Sequence, residues 1–157
     1  KRNSFEGTIH VPLLIKGNGF EKGKREEKVV SLIDLPKTIL SAAGYDTAPL
    51  GLQGRPLSET EEPDWEEAVY IQISESFVGR ALRTNRYKYV VHAPDCDPWK
   101  ESGSTVYKEK YLFDLASDPL ETVNLVNDRD YEEIRRGLKE RLIRFGEEAG
   151  ESFAVEG

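Results

Sequence analysis

Hydrophobic positions along this chain recur with a helical spacing before about residue 60 and alternate after it. The first apolar run, Ile9-His10-Val11-Pro12-Leu13-Leu14-Ile15, is closed by Gly17-Asn18-Gly19 and predicts a short buried strand at the edge of a larger sheet. Pro12 cannot donate to a ladder, which places it at a strand end, an edge or a bulge. Residues 21–28 are all charged or glycine and read as a solvated loop. Residues 31–43 predict a helix with Ser31 or Asp34 as its cap, Pro36 in the first turn and Gly44 as its stop. Ile39, Leu40 and Ala43 supply its apolar side. Residues 45–64 carry Pro49, Gly51, Gly54, Pro56, Pro63 and an acidic cluster, and form a surface connection where a subdomain boundary is expected.

Beyond it, 68–74, 79–84, 87–92 and 111–115 are alternating segments rich in Val, Ile, Tyr and Phe, and predict four antiparallel strands. Asn85-Arg86 leaves a two-residue hairpin between the second and third. Residues 93–110 are expected as a long loop holding Asp95, Cys96, Asp97, Trp99 and Tyr107. A loop of that length is more often functional or mobile than merely connecting. In 111–125 an aromatic strand, a Ser117-Asp118-Pro119 turn and a polar exit lead into a last helix, starting near Asp128 or Asp130 and ending at Ala149. Tyr131, Ile134, Leu138, Leu142 and Phe145 lie on one face of that helix, and Gly137 interrupts it at a cost of about 1 kcal/mol.

Composition narrows the possible partners. A net charge of -7 argues against nucleic acid or an anionic membrane surface, which both require a basic footprint. No apolar run approaches the roughly 18 to 20 residues of a membrane span. The 157 residues suit one domain with a real core. The chain has no Met and begins at Lys1, so we read it as a fragment or a processed product in which no targeting segment can be sought. A single cysteine, Cys96, excludes an internal disulfide. The composition leaves the oligomeric state and the compartment open.

Few residues suggest chemistry unaided. His10 and His92 are the only histidines and neither has a Gly-x-Ser-x-Gly partner, so no Ser-His-Asp triad can be assembled. His10, within an apolar run, reads as a hydrogen-bonded structural residue. His92, Asp95, Cys96 and Asp97 mix hard oxygens with one thiolate at a spacing no common metal site uses, and we expect no metal here. Arg80, Arg83, Arg86 and Lys88 form a basic cluster in an acidic chain. Alternation puts Arg80 and Leu82 on one sheet face and Ala81 and Arg83 on the other, so these charges need not converge. For each of the four, a solvated strand position with a surface ion pair competes with a substrate subsite. Arg80, just after Gly79 where a strand begins, and Trp99, in the long loop, are the candidate substrate-binding residues.

The opening residues Lys1-Arg-Asn-Ser-Phe5-Glu6-Gly7-Thr-Ile-His10-Val11-Pro12 resemble the sulfatase pattern Lys-x-x-x-Tyr/Phe-Glu-Gly followed by Arg-Val-Pro, with His10 where Arg is usual. The resemblance continues in order through Val30 to Leu35, Thr38-Ile39-Leu40, Ala43-Gly44 and Gly54-Arg55-Pro56-Leu57. It runs on through Arg80 to Thr84, Tyr87-Lys88-Tyr89, Phe113-Asp114-Leu115, Asp118-Pro119, Glu121 and Asn124-Leu125. It implies the C-terminal portion of a sulfatase-like enzyme of the alkaline-phosphatase superfamily. The implied fold is α+β: a four-stranded antiparallel sheet covered by a long C-terminal helix, preceded by a strand and a helix left from a larger α/β domain. Residues 1–62 would end that domain and 63–157 would form the smaller subdomain.

The implied chemistry is sulfate-ester hydrolysis, in which a formylglycine hydrate attacks sulfur while calcium and Lys and His side chains hold the sulfate. Of this machinery the chain offers Lys1 alone, the candidate catalytic residue, whose compact ammonium can meet charge on sulfate oxygens. Formylglycine, calcium and its ligands are expected in the full-length parent upstream of Lys1, with no cofactor in the fragment, which should be inactive by itself. Cys96-Asp97-Pro98-Trp99-Lys100 nearly spells the family's Cys-x-Pro-x-Arg nucleophile motif, but it has Lys for Arg and lies downstream of Lys1, so we read Cys96 as an ordinary loop thiol. Two alternatives stand beside the sulfatase: a phosphodiesterase or phosphonate hydrolase of the same superfamily, and a non-catalytic interaction or oligomerisation module.

Overall fold

A computed structural model describes residues 3–157, and the chain divides into two compact units. One unit joins the residues up to Val11 with Tyr70–Gly157; the other is Pro12–Val69.

The first unit is organised on a five-stranded sheet whose strands lie in sequence order: β1 (Ala68–Ile73), β2 (Val78–Thr84), β3 (Tyr87–Ala93), β4 (Val106–Asp114) and β5 (Ala154–Glu156). The β2–β3 and β3–β4 pairs are antiparallel, and β5 joins β4 in parallel. The helix α3 (Glu132–Glu148) packs against β2 and β3. The α+β class, the antiparallel strands and the long C-terminal helix are therefore present as the alternation predicts. Asp128 caps the approach to α3, accepting a hydrogen bond from the Asp130 N–H at 2.9 Å.

Register assigns the two faces. Leu82, Tyr89 and Leu112 are cross-strand partners, all fully buried. They lie on the side of Glu109, which accepts from the Tyr89 hydroxyl at 2.8 Å and meets Arg135 of α3 at 3.3 Å. On the opposite face Ala81, Val90 and Tyr111 line up and form a small core with Ile73. Arg83, Lys88 and Phe113 continue that row.

Two strands of this sheet depart from expectation. β4 begins at Val106, so the long loop shrinks to 94–105 and Tyr107, expected within it, is a fully buried strand residue. Lys108, Glu109 and Lys110 conceal the strand in the sequence. Glu109 is tolerated inside because Arg135 and Lys139 neutralise it, and Lys110 falls at a bulge, between the Val90–Tyr111 and Val91–Glu109 pairs. The added strand β5 is three residues long, too short for an alternating pattern. It is fixed by Phe153, whose ring meets Tyr107 edge-on at 5.1 Å.

Phe153 also gives the two glycines of α3 opposite roles. A Cβ on Gly146 would lie 2.4 Å from the Phe153 ring, whereas nothing lies within 4 Å of one on Gly137. Gly137→Ala should raise stability by about 1 kcal/mol through helix propensity. Gly146→Ala should lower it by about 1–3 kcal/mol through overpacking. Urea melts of both variants check this, and a shared sign would refute it.

The second unit contains α2 (Leu35–Ala42), entered through a short 3-10 turn, Leu32–Asp34. Ser31 and Asp34 form a capping box, with the Ser31 N–H donating to Asp34 at 2.8 Å. Asp34 also accepts from the Arg55 N–H at 3.0 Å, and the Thr38 hydroxyl from the Leu57 N–H at 2.9 Å. These bonds draw the polar side of the helix inward, so Ile39, expected on the apolar side, is exposed. Gly54, at φ 78°, brings its backbone so near Ile33 that a Cβ would lie 2.5 Å from that carbonyl.

The run 9–15 does not form the predicted strand. Residues 6–9 are a single helical turn, α1 (Glu6–Ile9), and 11–15 adopt no regular secondary structure, with Leu14 98% exposed. A strand requires a ladder partner, and none of the described residues provides one here.

Candidate functional site

Arg83 of β2 and Lys88 of β3 are directly opposed in the sheet register, so two cations share one face. Like charges in that position repel and require an anion between them. Glu6 supplies it. Its carboxylate lies 3.2 Å from Arg83 Nη2, 3.0 Å from Lys88 Nζ and 3.2 Å from His10 Nδ1. Lys88, 0% exposed, also pairs with Glu121, and Glu121 Oε2 accepts the Glu6 N–H at 2.6 Å. Phe5 sets its ring 5.8 Å from Tyr111 and 5.9 Å from Phe113 on the same face. Ser4 is buried, and the Phe5 N–H donates to Asn3 Oδ1 at 3.1 Å. The Phe-Glu-Gly segment is thus fastened to the sheet by rings and by a four-membered ionic cluster.

The electrostatics favour an ionised Glu6. Burial pushes the Glu6 carboxyl up, but hydrogen bonds and charge from Arg83 and Lys88 outweigh it and hold Glu6 below the ordinary carboxylate range. Glu121 takes a left-handed backbone, φ 59°, just past the Asp118-Pro119 turn. That conformation costs a non-glycine residue about 1–2 kcal/mol, which the buried contacts of its carboxylate offset.

Lys1, the candidate catalytic residue, lies outside the described residues. Arg80 is buried and occupied: Nε donates to Glu151 at 2.7 Å, Nη1 to the Gly79 carbonyl at 2.8 Å and Nη2 to the Ser102 carbonyl at 3.1 Å. Its charge holds the Glu151 carboxyl down against the opposing effect of burial. Arg80, Gln72, Glu151, Ser152 and residues 102–104 line an open polar pocket of approximately 320 Å³. Trp99 is 71% exposed on the 94–105 loop, its N–H donating to Asp97 Oδ1 at 3.0 Å. Arg80 and Arg83 do engage different anions on opposite faces, as alternation predicts. Where surface ion pairs are expected, Arg80 and Lys88 are buried and Arg83 is half-buried, while Arg86 keeps an exposed guanidinium that grips the buried Asp114 at 2.7 Å.

Cys96 is a free, half-buried thiol, and His10 is exposed beside Glu6. Among the described residues no group of three or more His, Cys, Asp or Glu could hold a metal ion, and no helix is long and apolar enough to cross a membrane. Asn124, in the exit from the turn, acts like a short extra strand: Oδ1 accepts from the Leu112 N–H at 3.0 Å and Nδ2 donates to the Lys110 carbonyl at 3.1 Å. The pairing of Lys88 with Glu121 escapes sequence reasoning. Both residues fall in blocks of the family resemblance, but nothing local in the chain announces that they meet.

Comparison with known proteins gives this geometry a context. Residues 1–148 match the family described as N-sulphoglucosamine sulphohydrolase, C-terminal. Human arylsulfatase K is 31% identical over 155 residues, covering 90% of this chain and 26% of the relative, and the chicken (Gallus gallus) protein is 31% identical over 140 residues, covering 80% and 24%. The chain thus spans about a quarter of the length of the curated relatives it matches. Among solved structures, BT4656 in complex with its substrate D-glucosamine-2-N,6-O-disulfate superposes with a TM-score of 0.59 at 23% identity, covering 73% of this chain and 23% of that one. The phosphonate monoester hydrolase of Agrobacterium radiobacter does so at 0.54 and 22%, covering 77% and 25%. These two likenesses are of fold alone. With residues 1–148 matched by the family model and 90% of its length by a relative of 31% identity, this chain belongs to the sulfatase family, as a C-terminal portion of the N-sulphoglucosamine sulphohydrolase type.

Proposed function

We propose that the complete protein hydrolyses a sulfate ester and that this chain supplies its C-terminal subdomain together with Lys1, a cation that holds the sulfate. The observation that carries this reading is the fastening of Phe5 and Glu6, the residues that follow Lys1 in the motif, onto the sheet by the Arg83, Lys88 and Glu121 cluster. A cation that must meet charge on sulfate oxygens acts best from a preorganised support. In this reading residues 1–62 end the large α/β domain and 63–157 form the subdomain. Trp99 and the 94–105 loop shape the leaving-group side, and Arg80 braces the end of that loop through the Ser102 carbonyl.

The calcium and formylglycine of the family do not fit the described residues, which form no metal-binding group. Their chemistry is assigned to the rest of the protein, and the chain alone is accordingly inactive. An assay with an aryl sulfate, a sulfated glucosamine and a phosphonate ester tests the reading. The complete protein should turn over a sulfate ester in preference to the phosphonate, and the isolated chain none of the three. Sulfatase activity of the isolated chain above background would relocate the chemistry, and a preference for the phosphonate would replace the reaction class.

A further inference from the structure

We infer that Lys88 is a positioning residue for sulfate hydrolysis, acting through Glu6 to set the place of Lys1; the inference rests on the sulfate-binding role proposed for Lys1. Lys88, near the start of the middle strand β3, is fully buried and touches no solvent, so it does not meet a substrate itself. Its ammonium instead joins two carboxylates from distant parts of the chain: Glu6 in the motif segment and Glu121 beyond the Asp118-Pro119 turn. Glu121 completes the link from the other side by accepting the backbone N–H of Glu6 at 2.6 Å. Side chain and backbone of one motif residue are therefore both tied to the same buried pair.

The tie reaches the residues before it. Phe5 is held between its ring contacts and the Asn3 side chain, and Ser4 is buried. A residue two positions before Asn3 is separated from it by no more than about 7 Å of extended chain. Where these contacts hold Glu6 consequently limits, through the chain, how far a Lys1 ammonium can reach. A misplacement of about 1 Å in a reacting constellation costs about 10²-fold in rate.

The experiment is a double-mutant cycle in the full-length protein, with an activated aryl sulfate that keeps weak variants measurable. Lys88→Met should lower kcat/KM by about 10²-fold when Lys1 is present, and by less than about twofold in the Lys1→Ala background. A purely structural role would multiply the two losses, and that result overturns the inference. Glu6→Gln, which keeps its volume and has no cavity cost, runs the same cycle if Lys88→Met fails to fold, with the same two outcomes. Near-normal turnover by Lys1→Ala would remove the sulfate-binding reading itself. A crippled Lys1→Ala with multiplying losses would overturn the positioning role alone.

Discussion

Lys1→Ala in the complete protein is expected to lower turnover of an aryl sulfate by about 10²–10³-fold, the loss typical of removing one preorganised group that meets charge in the transition state. The argument has two parts. Lys1 stands at the head of a motif whose next members, Phe5 and Glu6, are fastened to the sheet. An ammonium is a compact charge with three donors, suited to the oxygens of a sulfate, and Ala offers neither charge nor donor. Lys1→Arg keeps the charge but changes reach and geometry, and should recover only part of the loss. Turnover of Lys1→Ala within a few-fold of the unaltered enzyme would sink the assignment, and equal losses for Arg and Ala would show that charge is not what matters.

Replacing Lys88 by Met should destabilise the fold by about 3–5 kcal/mol, as expected when one partner of a buried ionic group is removed and the other is left uncompensated. Here the residual groups are the Glu6 and Glu121 carboxylates; among the described residues, Arg83 and the exposed His10 remain as partners of Glu6. The effect should depend on pH in a defined direction. Glu6 has its folded pKa depressed, so its contribution is fully present above the ordinary carboxylate range and is lost as pH falls through the folded value. In Lys88→Met that advantage is reduced and protonation relieves the repulsion. The gap between the two proteins should therefore be widest near neutrality and narrow on acidification. Urea titrations at several pH values measure it, and a gap independent of pH would assign the loss to packing.

These two expectations address different links. Lys1 is argued from a motif and its chemistry, Lys88 from burial and charge. Stability of the chain and turnover by the complete protein separate them, because a cation that only contacts substrate need not support the fold, whereas a fully buried lysine paired with two carboxylates must.

The strands and the last helix were legible because their signals are local. Alternation over β2 and β3 places Leu82 and Tyr89 on one face and Ala81 and Val90 on the other, and the apolar positions of α3 recur at helical spacing. The capping box at Ser31 and Asp34 involves residues three apart and could also be anticipated. The family motifs were readable for the same reason, being short strings in fixed order.

Other features were decided by residues far apart in the chain. Lys88 lies 82 positions from Glu6, and Arg80 lies 71 from Glu151; a charged residue can be buried only when such a partner arrives, and nothing in the neighbouring sequence announces it. The same holds for the start of β4, where Glu109 is admitted by Arg135 and Lys139, and for β5, where three residues become a strand because β4 offers an edge. The apolar run 9–15 is the reverse case: its pattern is that of a strand, but no described segment pairs with it. The sequence by itself determined period, caps and motif order, which depend on neighbours along the chain. Only the tertiary structure decided which charges are buried and which edges are paired, because the free energy of both depends on a partner that sequence distance conceals.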